Sequence, residues 1–210
     1  MSASVCLLLP VCYLPPIDYY CHIVRNPNIL FEKFETYPKQ TYRNRAIILS
    51  ANGPLRLSVP VIKPYGNKSM TSEILIDNKT AWSKIHLRAI NSAYNKSPFF
   101  LYYKDELEAL LAKPDELLID FNISLFNTIN KFLKFRPATA FTTEYLKSAP
   151  ECIDYRDYGK KISPSHYQLK PYNQVFSDRN GFIPDLSIID LIFNEGPHAL
   201  QYLKDCLPID

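Results

Sequence analysis

The chain has 210 residues, 47% of them apolar and 21% charged, which is the balance of one globular domain with its own core and excludes a disordered or membrane-embedded chain. Its five glycines (Gly53, Gly66, Gly159, Gly181 and Gly196) lie at least 13 positions apart, so a Walker A loop, a G-x-G-x-x-G dinucleotide turn and a G-x-S-x-G nucleophile elbow are excluded together. A formal net charge of +3 is too small to mark a nucleic-acid binder by itself, yet residues 39–68 hold Lys39, Arg43, Arg45, Arg56, Lys63 and Lys68 with no acid, and residues 105–120 hold six acids against Lys113. A local basic stretch of this kind favours an anionic ligand or a solvated basic face.

In chain order, residues 5–9 are a short apolar run ended by Pro10, suited to a strand buried on both faces. Residues 1–17 carry no charged side chain, but without a basic start and with Pro10, Pro15 and Pro16 they read as a strand and its exit loop rather than a leader. A short helix is expected over 17–25 and a second strand over 29–34. Residues 46–50 and 55–61 flank Asn52-Gly53-Pro54 and read as an antiparallel hairpin, with a further strand at 74–76.

The period then changes. Trp82, Ile85, His86, Ala89, Ile90 and Ala93 recur at helical steps, and Ser97-Pro98 reads as the N-cap and first residue of a second helix that ends at Pro114. A third helix is expected over 123–135, a returning strand over 138–143, and a proline-punctuated connection over 146–181. Asp185 is expected to cap a last helix running to Phe193, apolar nearly all round and therefore core or an oligomer contact; Asp190 within it needs a partner, for which an arginine is the candidate. These elements predict a single α/β domain spanning 1–210, with a mixed β-sheet, a helical middle segment and a C-terminal helix.

Cys6, Cys12, Cys21, Cys152 and Cys206 form no C-x-x-C pair and are odd in number, so they read as reduced thiols of a cytoplasmic protein. His22, His86, His166 and His198 are scattered without metal-ligand spacing, and no metal site is expected. Which cofactor, if any, the chain uses is not given by its motifs.

Four segments together resemble one family. YLPPIDYY (13–20), ETYPKQTYRNR with the following strand pair (35–61), AWSKIHLRAINSAYNKSPFF (81–100) and PYNQVFSDRNGFIPDLSIIDLIFNEG (171–196) are similar to the WbqC-like proteins. Many members carry Gln-Pro shortly before the Tyr-Leu-Pro element; Pro10 and Val11 stand there in this chain, so no role of a glutamine carries over. The resemblance implies a bacterial setting in polysaccharide or O-antigen biosynthesis, sometimes labelled glycine transfer, and it implies no catalytic residue.

From the residues themselves, the densest recognition segment is 37–45. Tyr37, Lys39, Gln40, Arg43, Asn44 and Arg45 combine point charge, bidentate guanidinium and amide groups. If this segment is extended, Arg43 and Arg45 face one side and Asn44 the other. The plainer alternative pairs one arginine with Glu32 or Glu35. His86 is the candidate general base, with Glu35 orienting it; the plainer alternative is a hydrogen-bonded core histidine. Tyr13, Trp82, Tyr94, Tyr172 and Gln174 are further candidates for contacting substrate, and Arg43, Asn44, Arg45 and His86 are expected to meet at one concave site. The leading expectation is a transferase or ligase acting on an anionic or sugar-linked small molecule, without a membrane span. Its rival is a non-catalytic ligand-binding or assembly protein using the same basic-aromatic surface, with a nucleic-acid binder third.

Overall fold

Apolar runs too short for helices and bounded by proline or polar residues are driven to pair with one another, because only a sheet buries both of their faces. In the computed structural model, which describes residues 6–158 and 165–209, such runs form β1 (Cys6–Pro10) and, after α1 (Ile17–Arg25), β2 (Asn28–Glu32). Position 5 of the expected first strand lies outside the described residues. An antiparallel hairpin follows, β3 (Arg45–Ser50) and β4 (Gly53–Ser58), and then the small pair β5 (Val61–Ile62) and β6 (Leu75–Ile76). Gly53 has φ +97° where the hairpin turns, which an L side chain would adopt only under strain.

The helical middle comprises α2 (Trp82–Tyr94), α3 (Phe100–Ala112) and α4 (Leu118–Phe132). After β7 (Ala138–Phe141) come β8 (Cys152–Asp154), β9 (Tyr167–Gln168), α5 (Ser177–Asn180), α6 (Ile188–Glu195), α7 (Ala199–Asp205) and β10 (Leu207–Pro208). The chain is thus α/β with parallel and antiparallel strands, as expected. The parallel strands form one sheet in the order β7-β2-β1-β8, and the antiparallel pairs form three two-stranded ribbons beside it. Leu7, Leu8 and Leu9 of inner strand β1 are wholly buried, which accounts for its unbroken apolar run.

Several expected details differ for identifiable reasons. The third helix begins at Leu118 instead of 123, because Leu118 N–H donates to the Ile74 carbonyl as the chain leaves a bridge between Leu75 and Leu117. It ends before Phe135, where Lys134 takes φ +52°. Ser97 does not cap α3: its Oγ is buried without a hydrogen-bond partner, and Phe99 N–H donates to the Phe193 carbonyl instead. Asp185, at φ +55°, does not cap α6. The chain before α6 lies against the start of α1, with Ile17 N–H on the Leu186 carbonyl, and Asp185 Oδ1 accepts Asp18 N–H at 2.8 Å, so it caps the first helix. α6 itself is core, with Ile188 to Phe193 all buried.

The connection over 146–181 conceals β8, whose parallel register sets Cys152 opposite Cys6. These two cysteines are joined as a disulfide, with Cα atoms 4.5 Å apart, while Cys12, Cys21 and Cys206 are free and buried. The reading of five reduced thiols is corrected to three; 146 positions of separation hide the pair from sequence spacing. Among the described residues no helix is long and apolar enough to cross a membrane.

Candidate functional site

In a parallel sheet, ligands sit beyond the carboxyl ends of the strands, where loops gather on a rigid support. The loop leaving β2 is the recognition segment of the sequence, and it divides into two environments. On one side Arg43, 0% exposed, donates from Nε to Glu35 Oε1 at 2.8 Å, from Nη2 to the same oxygen, and from Nη2 to the Arg156 carbonyl at 2.9 Å. Arg156 in turn forks onto Asp154, from Nε at 3.0 and 3.1 Å and from Nη2 at 2.5 Å. Glu32 at the end of β2 accepts the Thr142 hydroxyl at 3.0 Å and Phe34 N–H at 2.7 Å. A cavity of about 330 Å³ here is lined by Glu35, Tyr145, Asp154, Arg156 and Asp157. Arg43 is therefore a buried ion-pair partner, the plainer of its two readings.

On the other side lies a cavity of about 290 Å³. Three cations (Lys39, Arg45, Lys63), two amides (Gln40, Asn44), Tyr37 and Val61 line it, and no acid does. Asn44 and Arg45 share this cavity while Arg43 leaves it, the reverse of the alternation an extended segment would impose. The reason is local: residues 41–44 form a turn, closed by Asn44 N–H on the Thr41 carbonyl at 3.4 Å, and the strand starts only at Arg45. Lys63 Nζ donates to the Tyr37 carbonyl at 3.3 Å and lies 4.9 Å from the centroid of its ring. Partial burial first, and neighbouring Lys39 second, hold the Lys63 ammonium below its usual pKa. Burial pushes the Tyr37 phenol up, so it stays a neutral hydroxyl. Gln40 takes φ +62°, a strained conformation for a residue with a Cβ.

Three of the cavity's residues carry a buried polar atom with no hydrogen-bond partner: Tyr37 Oη, Asn44 Oδ1 and Arg45 Nε. Buried polar atoms are nearly always satisfied in a finished structure, so three among the residues lining one cavity set it apart from its surroundings. A larger cavity of about 460 Å³ also has basic walls, at Lys131, Lys134 and Arg136. It sits against Pro137 and Thr139 at the amino end of β7, the wrong end of the sheet for a ligand, and Lys131 is paired with Glu106 at 2.8 Å.

The other expected residues lie elsewhere. His86 is 4% exposed on α2, its Nδ1 2.9 Å from the Tyr13 hydroxyl and its ring 5.1 Å from that of Trp82. Burial pulls its pKa down to about 4, against a smaller opposing effect from the Ser58 backbone. The expected meeting of Arg43, Asn44, Arg45 and His86 does not occur, since neither Arg43 nor His86 lines the cavity, and Glu35 binds Arg43 instead of orienting His86. Tyr94, Tyr172 and Gln174 gather around Asp190: Tyr94 donates to Oδ2 at 2.9 Å, and Tyr172 and Gln174 donate to Oδ1 at 2.6 and 3.2 Å. Burial raises the Asp190 pKa, partly offset by these donors. The partner sought among the arginines is thus a pair of phenols and an amide. Sequence reasoning missed Lys63 as a wall of the cavity, although it belongs to the acid-free stretch 39–68, and missed Asp154 and Arg156, which lay in an apparent loop.

Comparison with known proteins identifies the family. The sequence profile of the WbqC-like protein family matches residues 11–152 and 142–202, and the chain belongs to that family. The uncharacterised protein Rv1507c of Mycobacterium tuberculosis (strain ATCC 25618 / H37Rv) is 26% identical over 220 residues, covering 92% of this chain and 95% of the relative. No solved structure matches.

Proposed function

We propose that this WbqC-like protein binds an anionic small molecule, through a phosphate or carboxylate group, in the cavity of Lys39, Arg45 and Lys63, and that it does so as a transferase or ligase acting on a sugar-linked substrate. The observation that supports this reading is the conjunction of three unpartnered buried polar atoms (Tyr37 Oη, Asn44 Oδ1, Arg45 Nε) with three cations and no acid on one cavity wall. An anion would relieve the mutual repulsion of Lys39 and Lys63 and accept from Arg45 and Tyr37, while Asn44 Oδ1 accepts from a hydroxyl or amine of the same ligand. The polysaccharide setting, including O-antigen assembly and aminoacyl transfer, comes from the family resemblance. Of the two groups expected to move protons, Glu35 lines the other cavity beside the same loop, and His86 is 4% exposed and packed against Tyr13 and Trp82; Glu35 is kept as the candidate and His86 is assigned to the core.

The second reading is a non-catalytic ligand-binding protein. It is favoured by the engagement of Glu35 Oε1 with Arg43 together with the enclosure of His86. Calorimetric titration with pyrophosphate, then with nucleotide-linked sugars, tests the binding site common to both. Arg45→Gln should weaken binding at least tenfold with the circular dichroism spectrum unchanged. Equal affinity in this variant, or no anion binding by the wild type, refutes the site. Mass spectrometry of the incubated mixture then separates the readings: a new product marks a transferase, and recovery of intact ligand marks a binder.

A further inference from the structure

The helical spacing of Asp18 and His22 (i, i+4) puts both on one face of α1, where residues 165–167 cross it. Asp18 Oδ1 accepts the Ser165 hydroxyl and His166 N–H, each at 2.6 Å. Its Oδ2 lies 2.9 Å from His166 Nδ1, 3.2 Å from the Tyr158 hydroxyl and 3.5 Å from His22 Nε2. Burial would raise the Asp18 carboxyl, but His22, Ser165 and His166 outweigh it and hold it below the usual carboxylate range. His22 is 3% exposed and its Nε2 makes no hydrogen bond, while its Nδ1 lies 3.2 Å from the Tyr167 hydroxyl.

We propose that Asp18 Oδ2, His22 Nε2 and His166 Nδ1 are the three protein ligands of a divalent transition-metal site, suited to zinc. Among the described residues this is the only group of three His, Cys, Asp or Glu side chains whose ligand atoms all lie within 4.8 Å of one another. Zinc–ligand bonds of about 2.0–2.1 Å at a tetrahedral angle set ligand atoms about 3.3 Å apart, and the separations of 2.9 and 3.5 Å from Asp18 Oδ2 bracket that value. A hydrogen-bonded hub accounts for Asp18 but leaves the buried His22 Nε2 with only a 3.5 Å approach to Asp18 Oδ2 and no hydrogen bond; a metal between the two occupies that lone pair. Tyr167 is placed to do what outer partners of ligating histidines do: its hydroxyl oxygen accepts Nδ1–H of His22 and so keeps the lone pair on Nε2, toward Asp18. Two imidazoles in three ligands favour zinc and its neighbours over magnesium or calcium, which prefer oxygen. The His166 side chain is 48% exposed, so the fourth position opens to solvent, as in sites where a metal holds an exchangeable water. Neither this site nor its test depends on the anion cavity. It also reverses the sequence expectation of no metal, since His22 and His166 stand 144 positions apart and meet only in the fold.

The test is calorimetric titration of chelator-stripped protein with zinc chloride, with native mass spectrometry for stoichiometry. The expected result is one zinc per chain and a raised melting temperature. His166→Ala, at a half-exposed side chain, should fold normally and weaken zinc at least 100-fold, and Tyr167→Phe should weaken it about 10- to 100-fold. Cobalt in place of zinc should give tetrahedral ligand-field bands without thiolate charge transfer. No stoichiometric zinc in the wild type, undiminished affinity in His166→Ala, or thiolate bands that move the site to Cys12, Cys21 or Cys206 would each overturn the proposal.

Discussion

Replacing His86 by glutamine distinguishes a packed histidine from a proton-transfer group before any substrate is identified. The imidazole is enclosed by Tyr13, Trp82 and the Ser58 backbone, and burial lowers its pKa from 6.5 to about 4. Between those two pH values the unfolded chain binds a proton that the folded chain refuses, so unfolding is favoured as pH falls. The contribution of His86 is therefore present in full above pH 6.5 and lost as pH drops toward 4, a change of about 3 kcal/mol. At pH 7.5 the variant loses the imidazole's packing and hydrogen bonding, at a cost of about 1–3 kcal/mol. At pH 4 it is spared the protonation penalty, so its deficit should vanish or reverse. Urea unfolding at a series of pH values, followed by the fluorescence of Trp82, the only tryptophan, reads this difference directly. Asp190, its pKa raised by burial, acts in the opposite sense; subtracting the wild-type curve from the variant's removes its contribution. Stability curves that run parallel from pH 4 to 7.5, or a variant as stable as the wild type at pH 7.5, would refute the enclosed neutral histidine and return His86 to the catalytic candidates. Pyrophosphate affinity of the folded variant should match the wild type.

Three other outcomes follow from named contacts. Arg43→Met removes the buried cation paired with Glu35 and should lower the unfolding free energy by about 3–5 kcal/mol, whereas Arg43→Met combined with Glu35→Leu should recover most of it; equal losses in the single and double variants would contradict a buried ion pair. Asp190→Ala leaves the hydroxyls of Tyr94 and Tyr172 without their acceptor, while Gln174 keeps the Ile183 carbonyl, and should cost about 3 kcal/mol in denaturant unfolding; a loss below half of that would show that the two hydroxyls find other acceptors. Gly196 has φ +51° and a Cβ there would overlap the Phe99 ring, so Gly196→Ala should lower stability by about 2 kcal/mol or more; Gly196→Ala combined with Phe99→Ala should lose less than the two single losses added, and strict additivity would argue against the clash.

Most elements were legible because their determinants are local. The three- and four-residue recurrence of Trp82, His86, Ile90 and Ala93 marks one helix face, and Asn52-Gly53 marks a hairpin turn, whatever the rest of the chain does. The pile-up of Lys39, Gln40, Asn44 and Arg45 likewise marked one wall of the cavity, because that wall is contiguous in sequence, whereas Val61 and Lys63 reach it from the segment after the hairpin. Side-chain partners were not legible. Whether Arg43 or Arg45 would be consumed by Glu35 depended on a turn at 41–44 that breaks strand alternation, a backbone choice no periodicity records.

The chain's sequence by itself determined the α/β class, the order of most elements, the apolar C-terminal helix and the acid-free recognition segment, since each follows from short-range period, turn residues and charge. Tertiary structure alone decided the pairings. The join of Cys6 to Cys152, the transfer of the Asp185 cap to the first helix, the enclosure of His86 beside Tyr13, and the meeting of Asp18, His22 and His166 all link positions 73 or more residues apart, apart from the neighbouring Asp18 and His22. Such contacts form only when strand order and helix packing bring remote segments together, and the free energy that selects that order is spread over the whole buried core instead of being written in any one stretch of chain.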